Sequence, residues 1–290
     1  MESNGMPSRT ALTAAAARAA HLIVDAEPHI FADTLALPLL GDRAEELVAY
    51  HRLHGTHPVL AGARLAATTR GRFTEDRLAA AVARGTGQYV VLGAGLDSYA
   101  YRAGPGGPRV FEVDHPATQD WKRAALAAAG IAVPPDVVFV PADLERDPPV
   151  TALARHGFDP ARPAFVSWLG VTMYLTPDAV GRTLAALGGL APGTEVVLDH
   201  MVPEERRDEL GRMYAAAVAP VAAEGGEPWR GIFAPEDMAA LLAAHGFAVR
   251  EQAWQGESVD AALWDRSDAL RPHRLPMLTR AAVTGVRPAS

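Results

Sequence analysis

Short apolar runs alternate with longer segments of helical periodicity along most of the chain. Five of these runs predict strands, at residues 88–93, 109–114, 136–143, 164–170 and 194–200. Each run is rich in β-branched or aromatic residues and is apolar on both faces. That pattern is typical of strands that are covered by helices on both sides of a sheet.

Helical patterns follow these strands at residues 116–129, 177–188 and 203–219, and a further helix begins at Pro235 and ends near Gly246. The segments FAVREQ (247–252) and RAAVTGV (280–286) predict two late strands. A series of alternating strands and helices indicates a doubly wound α/β fold. We therefore predict a seven-stranded, mainly parallel sheet of Rossmann-like type.

The first 85 residues differ from the rest because they contain no clear strand. Helical patterns cover residues 10–26, 42–54 and 58–84, and Arg18 interrupts the alanine-rich run that precedes it, which favours a helix over a secretory signal. We predict that residues 1–85 form a helical layer or lid packed on a catalytic domain of residues 86–290. The Gly/Pro-rich segment 220–233 predicts a loop, within a substrate-lid insertion around 201–233.

Composition excludes several kinds of chemistry. The 290 residues include no cysteine, so disulfides, thiol nucleophiles, iron–sulfur clusters and zinc–thiolate sites are impossible. The net charge of −7 argues against nucleic acid as a partner, and the sequence has no apolar run long enough for a membrane span. We expect a cytoplasmic protein and leave its oligomeric state open.

The strongest local motif is LGAGLDS at residues 92–98. Gly93 and Gly95 stand at the carboxyl end of the first predicted strand, where glycine lets the backbone approach a ligand closely. The dinucleotide-binding pattern needs a third glycine, and Ser98 occupies its position.

Two acidic residues extend this motif. Asp114 ends the second predicted strand, about 20 residues downstream, where a carboxylate accepts the ribose hydroxyls of an adenosine. Asp143 ends the third, within reach of an adenine edge, with Leu144 to back the ring. Together they favour S-adenosylmethionine (SAM) over NAD. A solvated turn residue at Asp114 and a helix cap at Asp143 remain the structural alternatives.

Five blocks, in order, resemble the leucine carboxyl methyltransferase-like family of class I SAM-dependent methyltransferases, in its bacterial O-methyltransferase branch. The resemblance runs from about residue 60 to 250. The blocks are ATTRGRFTEDRL (67–78), VVLGAGLDSYAYR (90–102), VFEVDHPATQDWKR (110–123), FVPADL (139–144) and FVSWLGVTMYLTP (165–177).

The resemblance implies SAM as cofactor and a role for each matched residue. Arg70, with Arg72 as the alternative, would bind the SAM carboxylate. Gly93 and Gly95 would pass under the methionine part, while Asp97 would cap the next helix or bind the amino group. Asp114 would take the ribose, and Asp143 with Leu144 the adenine.

One departure from the family pattern lies in the fourth-strand block. The family often has a glutamate five residues before the tyrosine of this block, and Leu169 stands there. A carboxylate contact is therefore missing. Trp168, Met173 or Tyr174 is expected to wall the pocket instead.

Residues for the methyl acceptor are less clearly marked. His200, at the end of the fifth predicted strand, is the candidate general base, and His115 is expected to border the ribose or adenine. Candidates for the acceptor pocket are Tyr101, Tyr174, Tyr214, Trp229 and Arg230. The histidines of HRLHGTH (51–57) suggest a metal site, but no carboxylate pair matches them, so we expect no metal.

These observations predict a SAM-dependent O-methyltransferase that acts on a hydroxyl or carboxyl group of a small molecule, such as a polyketide-like specialised metabolite. Alternatives are methylation of a protein carboxyl terminus, a non-methylating reaction with bound SAM such as cyclisation, and a non-catalytic SAM-binding protein. An NAD-dependent dehydrogenase is the alternative with a different cofactor, and the Gly-rich turn together with the two acids disfavours it.

Overall fold

Seven strands form one sheet in this computed structural model, which describes residues 8–285. The strands are β1 (Gln88–Leu92), β2 (Arg109–Asp114), β3 (Val137–Pro141), β4 (Phe165–Trp168), β5 (Glu195–Met201), β6 (Phe247–Trp254) and β7 (Pro276–Val283). Val286, the last residue of the second late strand segment, lies outside the described residues, as do residues 1–7 of the predicted N-terminal layer.

The strand order is β3–β2–β1–β4–β5–β7–β6. The first five strands along the chain pair in parallel, and β7 runs antiparallel to both of its neighbours. The predicted seven-stranded, mainly parallel α/β fold is therefore confirmed. Since the carboxyl ends of β1, β2 and β4 meet at one edge, the loops that follow them share one crevice.

Ten α-helices are present among residues 8–285. They are α1 (Arg9–Val24), α2 (Ala36–Leu39), α3 (Ala44–His54), α4 (Pro58–Ala83), α5 (Tyr99–Arg102), α6 (Pro116–Ala128), α7 (Pro149–Arg155), α8 (Pro177–Gly188), α9 (Glu209–Glu224) and α10 (Pro235–Ala244). None of these described helices is long and apolar enough to cross a membrane.

Apolar cores cover both faces of the sheet, as a doubly wound fold requires. On one face Phe111 and Val166 pack with Leu184 of α8. On the other, Tyr89 and Val197 pack with residues of α4 such as Phe73. The strands alternate between these two cores, so neighbouring residues of one strand face opposite sides of the molecule.

The segment after β5 departs from the prediction of one helix at 203–219 followed by a loop. A 3₁₀ turn at Glu204–Arg206 comes first, and α9 then begins where Asp208 Oδ1 accepts the Gly211 N–H at 2.7 Å. The helix continues through Pro220 to Glu224. Proline removes one N–H hydrogen bond, yet its φ suits a helix, so a helix packed on α4 can continue past it.

Candidate active site

A cavity of about 1140 Å³ opens at the carboxyl ends of β1, β2 and β4. Its floor is the Gly-rich turn after β1 together with the loops after β2 and β4. Helices α1, α3, α4 and α9 supply the other walls. The cavity therefore lies between the sheet and the N-terminal helices, in the crevice where open α/β sheets bind ligands.

The Gly-rich turn is shaped by contacts that exclude larger side chains. Gly93 has φ of +67°, and a Cβ there would lie 2.3 Å from Cγ2 of Val171. Gly95 has φ of +45°, and its Cβ would lie 3.1 Å from the Cβ of Ala11 in α1. Glycine at both positions thus lets the turn pass beneath α1 without strain.

Asp114 ends β2 and faces the cavity. Its Oδ2 accepts the Gly95 N–H at 2.6 Å, and its Oδ1 accepts the N–H of His115 at 2.7 Å. Burial raises the pKa of Asp114, while these two backbone donors act in the opposite direction. A carboxylate has about four acceptor sites, so both oxygens can accept further hydrogen bonds from a ligand.

His115, Asp97 and Asp143 line the cavity and also support local structure. His115 is the N-cap of α6, where its Nδ1 accepts the Ala117 N–H at 3.3 Å. Oδ1 of Asp97 accepts the Tyr99 N–H at 2.9 Å, at the start of the short helix α5.

The third-strand acid lies just beyond β3 rather than within it. Asp143 Oδ1 accepts the N–H of Glu145 at 3.0 Å, and Oδ2 lies 3.6 Å from Nε of Arg146. Leu144 next to it is buried and also lines the cavity. An acid and an apolar side chain therefore border one end of the cavity together.

Arg70 of α4 reaches the cavity, whereas Arg72 does not line it. Nη1 of Arg70 lies 3.5 Å from Oδ2 of Asp199 on β5. The guanidinium also covers Gly170, where a Cβ would lie 2.6 Å from Nη1. Arg72 instead pairs with Asp76 on the exposed face of α4. Of the two arginines that the sequence left open, Arg70 belongs to the cavity.

Leu169 lines the same part of the cavity, where the family often has a glutamate. The neighbouring strand supplies a carboxylate there, because Asp199 Oδ1 accepts the Gly170 N–H at 2.6 Å while its Oδ2 faces Arg70. The sequence analysis missed Asp199. Its position could have indicated a role, because Asp199 is an acid near the carboxyl end of β5, as Asp114 is at the end of β2.

The far end of the cavity is aromatic. Tyr174, Tyr214 and Trp229 line it, and burial raises the pKa of Tyr174 and of Tyr214 to about 12. The ring of His273 stacks on Tyr214, with ring centroids 5.2 Å apart and planes at 24°. His273 also lines the cavity, and no sequence motif marked it.

Two predicted pocket residues lie elsewhere. Tyr101 donates its hydroxyl to Oε2 of Glu112 at 3.2 Å, and its ring lies 5.2 Å from Nζ of Lys122, beneath β2. Arg230 has an exposed side chain, and only its backbone N–H is held, by the carbonyl of Met173 at 2.7 Å. Neither is among the residues that line the cavity.

His200 also lies outside the cavity. Met201 lines the cavity and Asp199 faces Arg70, whereas strand alternation turns His200 toward the opposite face of the sheet. The ring is fully buried, with Nδ1 3.1 Å from the carbonyl oxygen of Phe233, and burial lowers its pKa to about 4. The structure therefore does not support His200 as a general base for a ligand in this cavity.

Hydrogen bonds hold the start of α1 over the cavity. Ser8 Oγ donates to Oε1 of Glu227 at 2.7 Å, and the Thr10 N–H donates to Oε2 at 3.3 Å. Glu227 follows α9, so these bonds join the first helix to the segment that carries Trp229. Among residues 8–285, no group of three or more histidine, aspartate or glutamate side chains is arranged to hold a metal ion.

The charges that line the cavity are largely paired within the protein. Arg18 Nε donates to Asp33 at 2.7 Å, and Arg102 pairs with Glu75. His51, from the histidine cluster, lies beside Arg64, with Nδ1 3.3 Å from Nη1, and burial lowers its pKa to about 4. Because these charges are paired, aromatic and aliphatic side chains dominate the far end of the cavity.

Comparison with known proteins agrees with this arrangement. Residues 11–188 match the leucine carboxyl methyltransferase family. A protein of Saccharopolyspora erythraea named as a SAM-dependent methyltransferase is 36% identical over 240 residues, which are 79% of this chain and 77% of that protein. A protein of the same description from Bacillus subtilis is 30% identical over 204 residues, 69% of this chain and 67% of its own length.

A crystal structure from Thermobifida fusca, named as a methyltransferase, shares the fold with a TM-score of 0.61. Its sequence is 22% identical, and the alignment covers 97% of both chains. The family match covers more than half of the chain, and the shared fold agrees with it. The chain therefore belongs to the leucine carboxyl methyltransferase family and is a SAM-dependent methyltransferase.

Proposed function

We propose that this protein is an O-methyltransferase that transfers the methyl group of SAM to a hydroxyl or carboxyl group of a small, largely apolar molecule such as a polyketide-like metabolite. The observation that carries the proposal is the continuous cavity of about 1140 Å³. Ligand pockets commonly measure roughly 300–1,000 Å³, so this cavity has room for a cofactor and an acceptor side by side.

The residues of the sheet edge fit SAM. Asp114 faces the cavity, two backbone N–H groups fix the orientation of its carboxylate, and its remaining lone pairs would accept the ribose hydroxyls. Asp143 and Leu144 would border the adenine, and His115 would lie against the ribose or adenine. Gly93 and Gly95 would pass beneath the methionine part, beside Asp97.

Arg70 would bind the carboxylate of SAM through its guanidinium, which suits bidentate recognition of carboxylates. Asp199 would keep that guanidinium in place, since it faces Arg70 and is itself anchored on the Gly170 N–H. In this chain Asp199 would therefore take the part of the carboxylate that is missing at Leu169.

When bound, SAM supplies an electrophilic methyl group on a sulfonium. The protein has to bring the acceptor oxygen to about 3 Å from that methyl group, in line with the bond that breaks. Tyr174, Tyr214 and Trp229 would hold a flat apolar acceptor in this position. The hydrogen bonds that join Ser8 and Thr10 to Glu227 would hold α1 over the bound acceptor and exclude water from it.

The acceptor class follows from the lining of the far end of the cavity. Aromatic and aliphatic side chains dominate it, and the arginines Arg18, Arg70 and Arg102 are each paired with a carboxylate. Such a lining favours a small organic molecule over a polyanion such as a nucleic acid.

Isothermal titration with SAM and S-adenosylhomocysteine, followed by transfer of a radiolabelled methyl group to panels of phenols, alcohols and carboxylic acids, tests the proposal. We expect both cofactors to bind and labelled product to form from oxygen acceptors. Alkaline treatment releases labelled methanol from a methyl ester but not from a methyl ether, so it separates the two acceptor groups. A folded protein that binds neither cofactor, or that labels only nitrogen or sulfur acceptors, would contradict the proposal.

A further inference from the structure

His273 is a buried histidine that lines the cavity at its aromatic end. Only 4% of its surface is exposed, and neither ring nitrogen has a hydrogen-bond partner among the described residues. Buried polar groups in proteins are almost always paired, so a ring with two unpaired nitrogens requires an explanation. A ligand in the cavity with a polar hydrogen provides one.

The packing around the ring fixes its position. The His273 N–H of the backbone donates to Oε1 of Gln255 at 3.1 Å, and the ring stacks on Tyr214. Gly62 of α4 makes room for this pair, since a Cβ there would lie 2.7 Å from Cδ2 of Tyr214 and 3.4 Å from Nε2 of His273. The imidazole is thus held rigidly in the wall beside Tyr214 and Leu275, which also lines the cavity.

The electrostatic surroundings keep the ring neutral. Burial lowers the pKa of His273 to about 4, while Asp208, at the start of α9, acts in the opposite direction. The ring stacks on Tyr214, α4 contributes the uncharged Gly62 at the contact, and the guanidinium of the next residue, Arg274, lies 5.5 Å from the ring centroid of Trp254. A neutral imidazole has one nitrogen lone pair with which to accept a proton.

We propose that His273 is the general base of the methyl transfer and that the acceptor is a hydroxyl group on an aromatic ring, a phenol. This inference rests on the proposed function and narrows it. The hydroxyl proton passes to a ring nitrogen of His273. The oxygen forms a bond to the methyl carbon, and the carbon–sulfur bond breaks with its electron pair remaining on sulfur. The products are the methyl ether, S-adenosylhomocysteine and an imidazolium, which then releases its proton to water.

Two features favour a phenol over a carboxylic acid. A carboxylate is already ionised and needs no base, so the His273 site would have no task. The residues around His273 are aromatic rings and aliphatic groups, which suit a flat neutral acceptor. During proton transfer the developing oxyanion lies beside the imidazolium, and this attraction raises the pKa of the histidine at the moment it is needed.

The test compares the full-length wild type with His273→Gln and with His200→Gln as a matched control. His200 is equally buried, its Nε2 also has no partner among the described residues, and its pKa is lowered to about 4, yet it does not line the cavity. The probe is 4-nitrophenol, used below and above its own pKa, with SAM for methyl transfer and with S-adenosylhomocysteine for binding, and its visible spectrum reports whether it is neutral or ionised.

We expect all three proteins to bind 4-nitrophenol in its neutral form, because the buried ring with its lowered pKa takes the proton only during methyl transfer. Below the pKa of the probe the wild type and His200→Gln should methylate it at equal rates. Above that pKa the probe is already a phenolate and needs no base, so the deficit of His273→Gln should shrink there. Methyl transfer to 4-nitrophenol should fall by about 100- to 10,000-fold in His273→Gln, with the affinity for SAM unchanged. His273→Asn serves as a second variant if the glutamine variant does not fold.

Methyl transfer at wild-type levels in His273→Gln below the pKa of the probe would overturn the inference, and so would an equal deficit below and above that pKa. So would a wild type that does not bind the probe, or one that methylates carboxylic acids alone. In that last case O-methylation stands and only the role of His273 falls. A wild type that binds the neutral probe but binds no SAM would instead overturn the proposed function together with the inference that rests on it.

Discussion

The guanidinium of Arg70 lies 3.5 Å from the carboxylate of Asp199, so that helix α4 and strand β5 meet at the cavity beside Gly170. Neither residue is near the other in sequence. Arg70 also lines the cavity with a side chain that is 20% exposed, so a ligand there can contact its guanidinium, which is the basis of the first prediction.

Arg70→Gln should weaken binding of SAM and of S-adenosylhomocysteine by about 10- to 100-fold, because a charge-assisted hydrogen bond contributes about 1.5–3 kcal/mol. Isothermal titration measures the change. Arg72→Gln is the matched control, since Arg72 lies on the exposed face of α4 and pairs there with Asp76. Equal affinities in both variants would refute the assignment of Arg70.

Asp114→Ala should abolish measurable SAM binding. The variant loses the proposed ribose contacts. It also loses the hydrogen bonds that the Gly95 and His115 N–H groups donate to the carboxylate. Binding is measured by titration, and circular dichroism verifies the fold. Asp120→Ala, at an exposed site on α6, serves as the control. Wild-type affinity in a folded Asp114→Ala protein would rule out the ribose role.

Glu227→Ala should loosen the roof of the cavity. The change removes the acceptors for Ser8 Oγ and the Thr10 N–H, so the first turn of α1 should open more often. We expect faster amide hydrogen exchange in residues 9–14 and faster dissociation of S-adenosylhomocysteine. Glu224→Ala, an exposed residue at the end of α9, is the comparison. Unchanged exchange in the Glu227 variant would show that these bonds do not hold the helix.

Stability should fall as pH decreases from about 6.5 to 4. Burial lowers the pKa of His51, His200 and His273 to about 4 each, against about 6.5 in an unfolded chain. In that window the unfolded state binds more protons, so each histidine reduces the free energy of unfolding by up to about 1.4 kcal/mol per pH unit.

Urea unfolding at pH 7, 6 and 5 measures this dependence. His200→Gln should remove about one third of the combined slope of the three histidines. A slope that is the same in wild type and His200→Gln would mean that the buried ring titrates normally.

The end of the cavity beside the sheet could be predicted because it depends on local motifs at strand ends. Gly93 and Asp114 follow two recognisable strands, and the carboxyl ends of parallel strands converge at one edge of a sheet. The aromatic end was predicted only in part, because Tyr174, Tyr214 and Trp229 line it as expected whereas His273 was not predicted. It is assembled from α4, α9 and the segment before β7, and His273 comes from that last segment without any motif.

The β5 residues illustrate the limit most clearly. Asp199 and His200 are adjacent in sequence, but only the pairing of β5 with β4 and β7 determines which of them faces Arg70. The sequence by itself determined which chemical groups stand at the ends of the first three strands, the doubly wound fold class and the family. These follow from periodicity and local motifs. The tertiary structure alone decided the side of β5 that meets Arg70 and the joining of His273 to Tyr214, because burial and long-range packing select among side chains that are equivalent in the sequence.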